Sequence, residues 1–495
     1  MSRATGVPLR RWPRIAHDPS RVITRMFVPG QEGFEHHNSR IAAVLARVLA
    51  LDEQESQSAL DDVVARFDGR HRDLLGIFGH HASQIADRLQ ADYELTDARR
   101  LLLGATFTSE YAIEGAALCN PSIVAHPDQS EAARDGLRFV MSVRAIGEGH
   151  RSSVGFRTGT IDATGRPMFD ASPLFATAGK IGPAPLEAAV FRSELVRLDS
   201  HGDDADYILS ALGHRFTHAD LNERLDSLRA NLTTRRGSTR TTEVIRAIAE
   251  RSYAIAFSDD VPLSERVLCP ATGAESHGLE DARFVRFVDD DGSVINYATY
   301  TAYDGSNISQ QLLETSDFKT FTSSPIVGAA ATNKGLALFP RRIHGRFAAL
   351  SRWDRDTNSI AYSDNPRHWP SATQFQAPIR AWETVQLGNC GPPIETDAGW
   401  LVLTHGVGPM RTYSIGAILL DLGDPTTVLS QLPHPLLTPN IDEQDGYVPN
   451  VVYSCGALVH ADTLIVPYGI GDAAISVASV PMPDLLAALD RSRVK

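Results

Sequence analysis

Two adjacent carboxylates followed by an arginine form the segment with the clearest chemical potential, Glu280-Asp281-Ala282-Arg283. On a β-strand neighbouring side chains point to opposite faces, so Glu280 and Asp281 should diverge while Asp281 shares its face with Arg283. One carboxyl can then enter a cleft as a proton donor while its neighbour is held by structure. The pattern predicts general acid chemistry, with Asp281 as the acid.

Other acidic and amide residues lie beside glycines in turn-like segments. They are Asp304, Asn333 with Lys334, Asn389, Glu443 with Asp445, Asn450, and Asp472. In turns such side chains usually cap their own backbone, and that alternative stands for each of them taken singly. They become candidates for a site only where the fold brings them together.

Several other kinds of site are not indicated. Adjacent histidines such as His80-His81 diverge by about 100° on a helix and do not form the i, i+4 pair of a zinc site, so we expect no metal. The sequence has neither a phosphate loop ending in Gly-Lys-Ser/Thr nor the Gly-x-Ser-x-Gly elbow of a serine hydrolase. The four cysteines are far apart, which favours reduced, buried thiols.

The charge of the chain argues against two classes of partner. A formal net charge of −13 repels nucleic acid and anionic lipid, and no dense Lys/Arg run offers a local exception. The first residues lack the apolar run of a signal peptide, and no segment approaches ~18 consecutive apolar residues. We therefore expect a cytoplasmic protein that binds neither nucleic acid nor membrane, and leave homo-oligomerisation open.

The elements that must position these residues change along the chain. Apolar residues recur at helical spacing from about Asn38 to Glu114, which predicts a helical N-terminal extension over residues 1–114. From Gly115 onward short runs of Val, Ile, Phe and Tyr alternate with Gly, Asp, Asn and Pro, as strands and turns do. A second helical stretch at 219–256 interrupts this β texture and is interpreted as an insertion.

Short segments centred on Ile or Val recur within the β region. They are Ser153-Val154-Gly155, Asn307-Ile308-Ser309, Ser359-Ile360-Ala361, Ser414-Ile415-Gly416 and Ala474-Ile475-Ser476, the last four separated by 52, 55 and 60 positions. A period near ~50 residues in β texture suits a four-stranded propeller blade, although an irregular sandwich could produce some of these segments. In a propeller, polar residues from distant positions converge on the axial funnel.

Ordered segments from about Asn120 to Val477 resemble glycoside hydrolase family 130, which contains mannoside phosphorylases and related β-mannosidases. The matching segments are Asn120-Pro121-Ser122, Arg144-Ala145 with Ser152-Ser153, Gly278-Leu279-Glu280-Asp281-Ala282-Arg283, Tyr300-Thr301-Ala302-Tyr303, Asn333-Lys334-Gly335 with Leu338-Phe339-Pro340, Gly391-Pro392-Pro393-Ile394 with Gly399-Trp400 and His405-Gly406, Val448-Pro449-Asn450-Val451-Val452, and Tyr468-Gly469 with Asp472. The resemblance implies an all-β five-bladed β-propeller as the catalytic domain, over residues 115–490.

The resemblance also implies roles for individual residues. Asp281 would be the general acid, which in this family acts on the glycosidic oxygen through a hydroxyl of the bound mannose. Asn120, Arg144 and Asp472 would hold the terminal mannosyl unit, and Lys334 would contact phosphate. The rest of the expected substrate-binding set is Ser153, Asp304, Arg352, Asp445 and Asn450.

Two departures from the family pattern bear on the reaction type. Phosphorylases of the family show a His before Arg in the strand after the Phe-Pro turn, where this sequence has Leu350-Ser351-Arg352. They also carry an Arg soon after the Tyr-Thr-Ala-Tyr strand, where this sequence has Ser309-Gln310-Gln311. Each charged hydrogen bond to a dianion is worth roughly 1.5–3 kcal/mol, so both losses weaken phosphate binding. They favour hydrolysis, with Glu383, Glu443 or Asp445 as the base that activates water.

The sequence therefore favours an exo-acting, inverting β-mannosidase for β-1,2-linked mannooligosaccharides, without a cofactor. The alternative is a phosphorylase that uses inorganic phosphate as co-substrate and releases mannose 1-phosphate, with an anion site formed from Lys334, Arg341, Arg342 or Arg352. A third hypothesis is a carbohydrate-binding propeller without catalysis. Asp281 followed by Arg283 argues against it, because a lectin needs no proton donor.

Overall fold

The computed structural model describes residues 6–28, 37–89, 95–231 and 238–493. Its backbone divides into two compact units, a larger one of residues 1–17, 116–172 and 178–495 and a smaller one of residues 18–115 and 173–177. Among the described helices, none is long and apolar enough to cross a lipid bilayer.

The bounds of the regular elements are as follows. The helices are α1 (His37–Ala50), α2 (Glu53–Phe67), α3 (Leu74–Leu89), α4 (Asp97–Thr106), α5 (Ala188–Arg197), α6 (Asp203–Ser210), α7 (His218–Asn231), α8 (Ser238–Glu250) and α9 (Met482–Asp490). The strands are β1 (Arg10–Arg11), β2 (Ile15–Ala16), β3 (Val22–Met26), β4 (Thr108–Ala112), β5 (Ala117–Ala125), β6 (Leu137–Ile146), β7 (Ser152–Ile161), β8 (Pro167–Phe169), β9 (Thr177–Ala178), β10 (Lys180–Pro183), β11 (Leu186–Glu187), β12 (Arg215–Phe216), β13 (Tyr253–Ala256), β14 (Arg266–Leu268), β15 (Gly278–Val288), β16 (Val294–Tyr303), β17 (Ile308–Thr315), β18 (Thr320–Pro325), β19 (Ala337–Leu338), β20 (Phe347–Ser351), β21 (Asn358–Ser363), β22 (Ala372–Gln376), β23 (Gln386–Asn389), β24 (Ile394–Thr396), β25 (Gly399–Val407), β26 (Tyr413–Leu420), β27 (Val428–Gln431), β28 (Val452–Tyr453), β29 (Leu458–His460), β30 (Thr463–Ile470) and β31 (Ala474–Pro481).

The smaller unit consists of α1–α4 and the antiparallel pair β3–β4. Helix α2 begins with a capping box, in which the Asp52 side chain accepts from the Glu55 backbone N–H and Glu55 accepts from that of Asp52. Its helices enclose a core that includes Ile41, Ile85 and Phe107. The helical character predicted for this part of the chain is therefore present, except that residues 1–5, 29–36 and 90–94 lie outside the described residues.

The larger unit is built from antiparallel meanders that follow one another along the chain. They comprise β5–β8, β15–β18, β19–β22, β23–β27 and β28–β31. The N-terminal strands β1 and β2 pair with β31, so this part of the chain joins the last meander rather than the helical extension in which the sequence placed it. Strands β13 and β10 extend the second meander beyond β18.

The repeated segments of the sequence occupy equivalent places in these meanders. Their central residues lie in β7, β17, β21, β26 and β31, each of which is the third strand of its meander in hydrogen-bonding order. These residues are Val154, Ile308, Ile360, Ile415 and Ile475. The first spacing is longer because α5–α8 lie between the first two meanders. Each period of the sequence repeat therefore corresponds to one meander.

Strands of the meanders are buried on both faces. In β25, Trp400 and Val402 belong to a core shared with β20 and β21, whereas Leu401 and Leu403 belong to a core shared with β30 and β31. This alternation follows from the two-residue period of a strand. It explains why such strands read as continuous apolar runs.

Each meander shares a hydrophobic core with the next. The first packs on the second, the second on the third, the third on the fourth and the fourth on the fifth. A further core contains Ile123 of β5 and Phe139 of β6 together with Ile465 of β30 and Ile475 of β31. The last meander therefore packs on the first.

The helical insertion begins earlier and ends earlier in the chain than the sequence indicated. It begins at α5 (Ala188–Arg197) instead of residue 219, and Tyr253–Ala256 forms a strand, β13, instead of helix. Its helices have their own core, which includes Phe191, Ile208 and Leu225. Residues 232–237 of the predicted insertion lie outside the described part of the chain. With these helices the larger unit mixes helix and strand, so an all-β description does not hold for it.

Candidate active site

A polar cavity of about 210 Å³ lies among the turns of the larger unit. It is lined by Asn120, Asp281, Arg283, Lys334, Arg352, Gln386, His405, Arg411, Tyr413, Val448, Val451, Tyr453 and Asp472. Asn120, Asp281, Lys334, Arg352 and Asp472 are residues that the sequence singled out. The fold thus brings together side chains that are up to about 350 positions apart in the chain.

Two β-bulges aim the side chains at the cavity. The pairing of β5 shifts between Cys119 and Ser122, and that of β15 shifts between Glu280 and Arg283. Inside these bulges Asn120 has φ 47° and Asp281 has φ 56°, in the left-handed region that non-glycine residues seldom adopt. Bulges redirect side chains out of the strand alternation. Such backbone strain is typical of functional sites.

The bulge in β15 corrects one expectation from the sequence. Glu280 and Asp281 do not diverge to opposite faces, since both approach the guanidinium of Arg144. Arg144 Nη2 lies 2.7 Å from Glu280 Oε1, and Arg144 Nη1 lies 3.7 Å from Asp281 Oδ1. Strand alternation fails here because the left-handed Asp281 turns the chain between the two carboxylates.

Asp281 is surrounded by hydrogen-bond donors and cations. Asn120 Nδ2 donates to its Oδ1 at 2.5 Å, and Arg283 Nη2 lies 3.7 Å from its Oδ2. Burial favours the neutral acid, but the charges of Arg283, Arg144 and Lys334 outweigh it and lower the pKa of Asp281. The Asp281 carboxyl is therefore ionised at neutral pH when the cavity holds no ligand.

Glu280 holds two cations beside the cavity. Besides its contact with Arg144, its Oε2 accepts from Lys334 Nζ at 2.5 Å. The Glu280 side chain is 9% exposed, so it is a buried bridge between the two. It does not line the cavity, and its contacts fix Arg144 and Lys334 around Asp281.

Asp472 follows Gly471 in the turn between β30 and β31 and has φ 49°. Burial and the nearby charge of Asp281 raise the pKa of Asp472 to about 6, against the opposing influence of Arg144 and Arg411. The two carboxylates of the cavity thus differ in acidity, Asp281 being the stronger acid. Pairs separated in this way are typical of acid–base sites.

The raised pKa of Asp472 predicts a pH-dependent stability difference for Asp472→Asn. An unfolded Asp ionises near pH 4, whereas the folded carboxyl ionises only near pH 6, so ionisation of Asp472 costs folding free energy as pH rises through this window. The melting temperature of the variant minus that of the wild type should be larger at pH 7.5 than at pH 4.5. An equal difference at both pH values would contradict the assignment.

Part of the cavity lining is cationic. Arg283 donates from Nη2 to the Tyr453 hydroxyl at 3.0 Å and from Nη1 to the Asp281 carbonyl at 2.8 Å. Arg352 donates from Nη2 to the Arg355 carbonyl at 2.9 Å, and its buried Nε has no hydrogen-bond partner among the described residues. Burial, and the neighbouring charge of Arg283, lower the pKa of Arg352. An anion would satisfy this guanidinium.

His405 is a neutral member of the lining. Its ring packs edge-on against Tyr453, with centroids 4.9 Å apart, and parallel to Tyr413. Nδ1 lies 3.2 Å from the Asn389 carbonyl oxygen, so this nitrogen carries the proton and donates. Burial, together with Arg352 and Arg283, lowers the pKa of His405 well below its usual value. It therefore adds no charge to the cavity.

Two of the three candidate catalytic bases, Glu383 and Glu443, lie elsewhere, in capping boxes of short 3-10 helices. Glu383 is fully buried and accepts from the Arg380 backbone N–H at 3.1 Å. Glu443 accepts from the Asn440 backbone N–H at 3.1 Å and from the Tyr468 hydroxyl at 2.7 Å. Neither carboxylate lines the cavity, so the geometry does not support either as the base.

The remaining predicted substrate-binding residues also fall outside the lining. Asp304 accepts from the backbone N–H groups of Ser306 and Asn307, as turn-forming aspartates do. Ser153 is buried in β7, Asp445 is exposed, and Asn450 accepts from the Tyr413 backbone N–H at 3.0 Å. Of the four cations considered for an anion site, Lys334 and Arg352 line the cavity, whereas Arg341 pairs with Glu395 and Arg342 with Asp289.

The sequence missed several lining residues. Gln386, Arg411, Tyr413 and Tyr453 were not among the candidates. Arg283 was expected on the same face as Asp281 but was not predicted as a binding residue, and His405 occurred only within a matching segment. Arg411 could not be found from its type, because its place depends on two consecutive left-handed residues, Met410 and Arg411. The ordered matching segments were the signal that could have found Arg283 and His405.

Comparisons with known proteins identify the family of the chain. The family model described as β-1,4-mannooligosaccharide phosphorylase, of glycoside hydrolase family 130, matches residues 260–491. A 1,2-β-oligomannan phosphorylase of Thermoanaerobacter sp. is 37% identical over 228 residues, which cover 45% of this chain and 75% of the relative. A β-1,2-mannobiose phosphorylase of the same genus is 34% identical over 234 residues, covering 46% and 76%. The chain belongs to glycoside hydrolase family 130, as its resemblance predicted.

A solved structure was also matched. The β-1,2-mannobiose phosphorylase of Listeria innocua, in complex with β-1,2-mannobiose, aligns with a TM-score of 0.46 and 22% identity. The alignment covers 77% of this chain and 94% of that chain.

Proposed function

We propose that this protein is a mannoside phosphorylase that transfers the terminal mannosyl unit of a β-mannooligosaccharide, preferentially β-1,2-linked, to inorganic phosphate. The observation that carries the proposal is the charge of the cavity. Among the described lining residues, four cations, Arg283, Lys334, Arg352 and Arg411, face two carboxylates, Asp281 and Asp472, in a chain whose formal net charge is −13. An excess of positive charge in an acidic protein suits an anionic co-substrate.

The cavity keeps several cations, although the sequence lacks the His and the Arg of the family pattern. Arg283 and Arg352 present guanidinium groups, which bind phosphate oxygens through pairs of hydrogen bonds. Lys334 adds a point charge. These lining cations support phosphorolysis even without a His before Arg352 and an Arg near Gln310.

Phosphate would also prepare Asp281 for its role as general acid. The cations around the cavity lower the pKa of Asp281, and a bound dianion offsets their charge. Binding of phosphate should therefore raise the pKa of Asp281 and increase its protonated fraction. The proton would then reach the leaving oxygen, while a phosphate oxygen attacks the anomeric carbon from the opposite face and inverts it.

Hydrolysis is the second candidate, and one observation favours it. The pKa of Asp472, raised to about 6, is suitable for a base that activates water near neutral pH. The predicted bases Glu383 and Glu443 are engaged in capping boxes and do not line the cavity.

Incubation with β-1,2- and β-1,4-mannobiose, each with and without inorganic phosphate, tests the proposal. We expect mannose 1-phosphate and mannose in equal amounts, formed only with phosphate and faster from the β-1,2-linked disaccharide. Free mannose at equal rates without phosphate would establish hydrolysis instead. Binding without turnover in either condition would favour the lectin hypothesis.

For the fold, we propose that the meanders close into a five-bladed propeller within residues 115–490, with a helical extension before it. Support comes from the cyclic order of the shared cores and from the pairing of β1 and β2 with the last meander, since the chain ends of a propeller commonly meet in one blade. The cavity residues Asn120, Asp281 and Asp472 would then converge at one end of its axis.

Gly388 provides a test of the proposed phosphate site. A Cβ at this position would lie 2.1 Å from Arg352 Nε, so Gly388→Ala must displace the Arg352 side chain. We expect the KM for phosphate to rise about tenfold, the value of one charged hydrogen bond. The overpacking should cost about 1–3 kcal/mol of stability. Gly273→Ala, where a Cβ meets nothing within 4 Å, is the matched control. An unchanged phosphate KM in Gly388→Ala would contradict the placement of phosphate on Arg352.

A further inference from the structure

The rim of the cavity carries a pair of stacked rings that the proposed chemistry does not use. Tyr447 and His150 lie face to face, with ring centroids 5.5 Å apart and planes inclined by 26°. The Tyr447 hydroxyl and His150 Nδ1 are 3.2 Å apart and share a hydrogen bond. Tyr447 is nevertheless 58% exposed, and His150 is exposed as well.

The backbone fixes this pair beside the cavity. Val448, which follows Tyr447, lines the cavity, and its N–H donates to the Gly471 carbonyl at 2.8 Å. Gly446, which precedes Tyr447, packs so closely on Gly471 that a Cβ there would lie 2.4 Å from the Gly471 carbonyl oxygen. Gly471 is the neighbour of Asp472. Tyr447 is therefore held next to the turn that carries Asp472.

His150 reaches the same rim through the topology. In the third, fourth and fifth meanders, the turn between the second and third strands in hydrogen-bonding order contains a lining residue, Arg352, Arg411 and Asp472 respectively. His150 lies in the corresponding turn of the first meander, between β6 and β7, in a left-handed conformation with φ 57°. Equivalent turns of successive meanders lie at the same end of the strands, so His150 belongs to the rim that surrounds the cavity mouth.

We infer that Tyr447, supported by His150, is a stacking platform for sugar units on the leaving-group side of the scissile bond. An aromatic ring that is exposed yet held in one orientation can stack on the apolar C–H face of a sugar ring with little loss of side-chain entropy. The terminal mannosyl unit would occupy the cavity, and the rest of the chain would cross the rim. The inference rests on the proposed function and narrows its substrates to oligosaccharides that extend beyond the cavity.

Steady-state kinetics with β-1,2-linked mannobiose, mannotriose and mannotetraose test the platform. Tyr447→Ala should lower kcat/KM for the longer substrates roughly fivefold, the value of one aromatic stacking contact, and leave the KM for phosphate unchanged. Tyr447→Phe keeps the ring and should retain most of the wild-type value. Ile441→Ala, an 84% exposed apolar residue of the same segment, is the matched control and should have no effect.

The outcomes separate this inference from the proposed function. If the wild type turns over its substrate independently of phosphate, phosphorolysis is excluded as the reaction. The inference of a stacking platform would still stand, and the Ala and Phe variants would still test it. If no β-mannoside is turned over, the platform is tested by calorimetric titration of mannotriose into the wild type and into Tyr447→Ala. Equal affinity in the two proteins, or no binding to either, would overturn the platform. Equal losses in the Ala and Phe variants would also overturn it, because the effect would then not depend on the ring.

Discussion

Replacement of Asp281 by Asn should lower the turnover of β-mannosides by about 10²–10⁴-fold, the range that general acid catalysis supplies. Asn keeps the shape of the side chain but has no acidic proton to give. The environment of Asp281, between Asn120, Arg144 and Arg283, fixes its orientation by contacts that an amide can partly reproduce. The loss should therefore appear in kcat with only a modest change in the affinity for oligosaccharide.

The fold of the Asp281→Asn variant must be checked separately, because a buried carboxylate among cations also stabilises the protein. The pKa of Asp281 is lowered in the folded state, so its charge contributes stability above the pKa of an unfolded Asp, near 4, and this contribution is lost as pH falls through the folded pKa. We expect a lower melting temperature at pH 7 but a single cooperative transition. Asp304→Asn is the matched control, because Asp304 lies in an exposed turn and does not line the cavity. This variant should keep full activity. Appreciable turnover by Asp281→Asn would remove Asp281 from the role of acid.

Replacement of Arg352 by Gln should raise the KM for phosphate roughly 10- to 150-fold, which corresponds to the loss of one charged hydrogen bond worth about 1.5–3 kcal/mol. Arg352 is buried at the cavity, its Nε lacks a partner among the described residues, and the charge of Arg283 lowers its pKa. Two buried cations side by side destabilise a cavity that has no anion in it. Arg352→Gln should therefore also raise the melting temperature without phosphate and reduce the further rise that phosphate produces.

The control for Arg352→Gln is Arg346→Gln. Arg346 belongs to the same meander, and its guanidinium forms an ion pair with Asp364 on the surface. Such pairs contribute little to stability, so this variant should keep both the phosphate KM and the melting temperature of the wild type. A phosphate KM that is the same in Arg352→Gln and wild type would show that Arg352 does not bind the co-substrate.

Much of the architecture could be predicted because it depends on patterns that are local in sequence. Val154, Ile308, Ile360, Ile415 and Ile475 recur once per meander and mark third strands, so their spacing recorded the repeat. The helical extension was visible for the same reason, through apolar residues at helical spacing. The start of the helical insertion was missed, since α5 and α6 lie between short strands and carry few residues each.

The site was predictable only in part, because backbone conformation decides which side chains reach it. Asp281 was found from its motif, but the bulge that turns it toward Arg144 overrides strand alternation and could not be seen in the sequence. Glu383 and Glu443 have the right chemistry for a base, yet each sits three residues after a capped backbone N–H and satisfies it. The position of the Arg411 side chain depends on a turn with left-handed residues, which the residue types do not predict.

Phosphorus NMR of the reaction with β-1,2-mannobiose and inorganic phosphate tests the central claim most directly. The claim predicts that the phosphate resonance decreases while that of α-mannose 1-phosphate, the product of inversion, grows in equal amount, and that neither changes with Asp281→Asn. A phosphate resonance that stays constant while mannobiose disappears would contradict it, because mannose would then have been transferred to water.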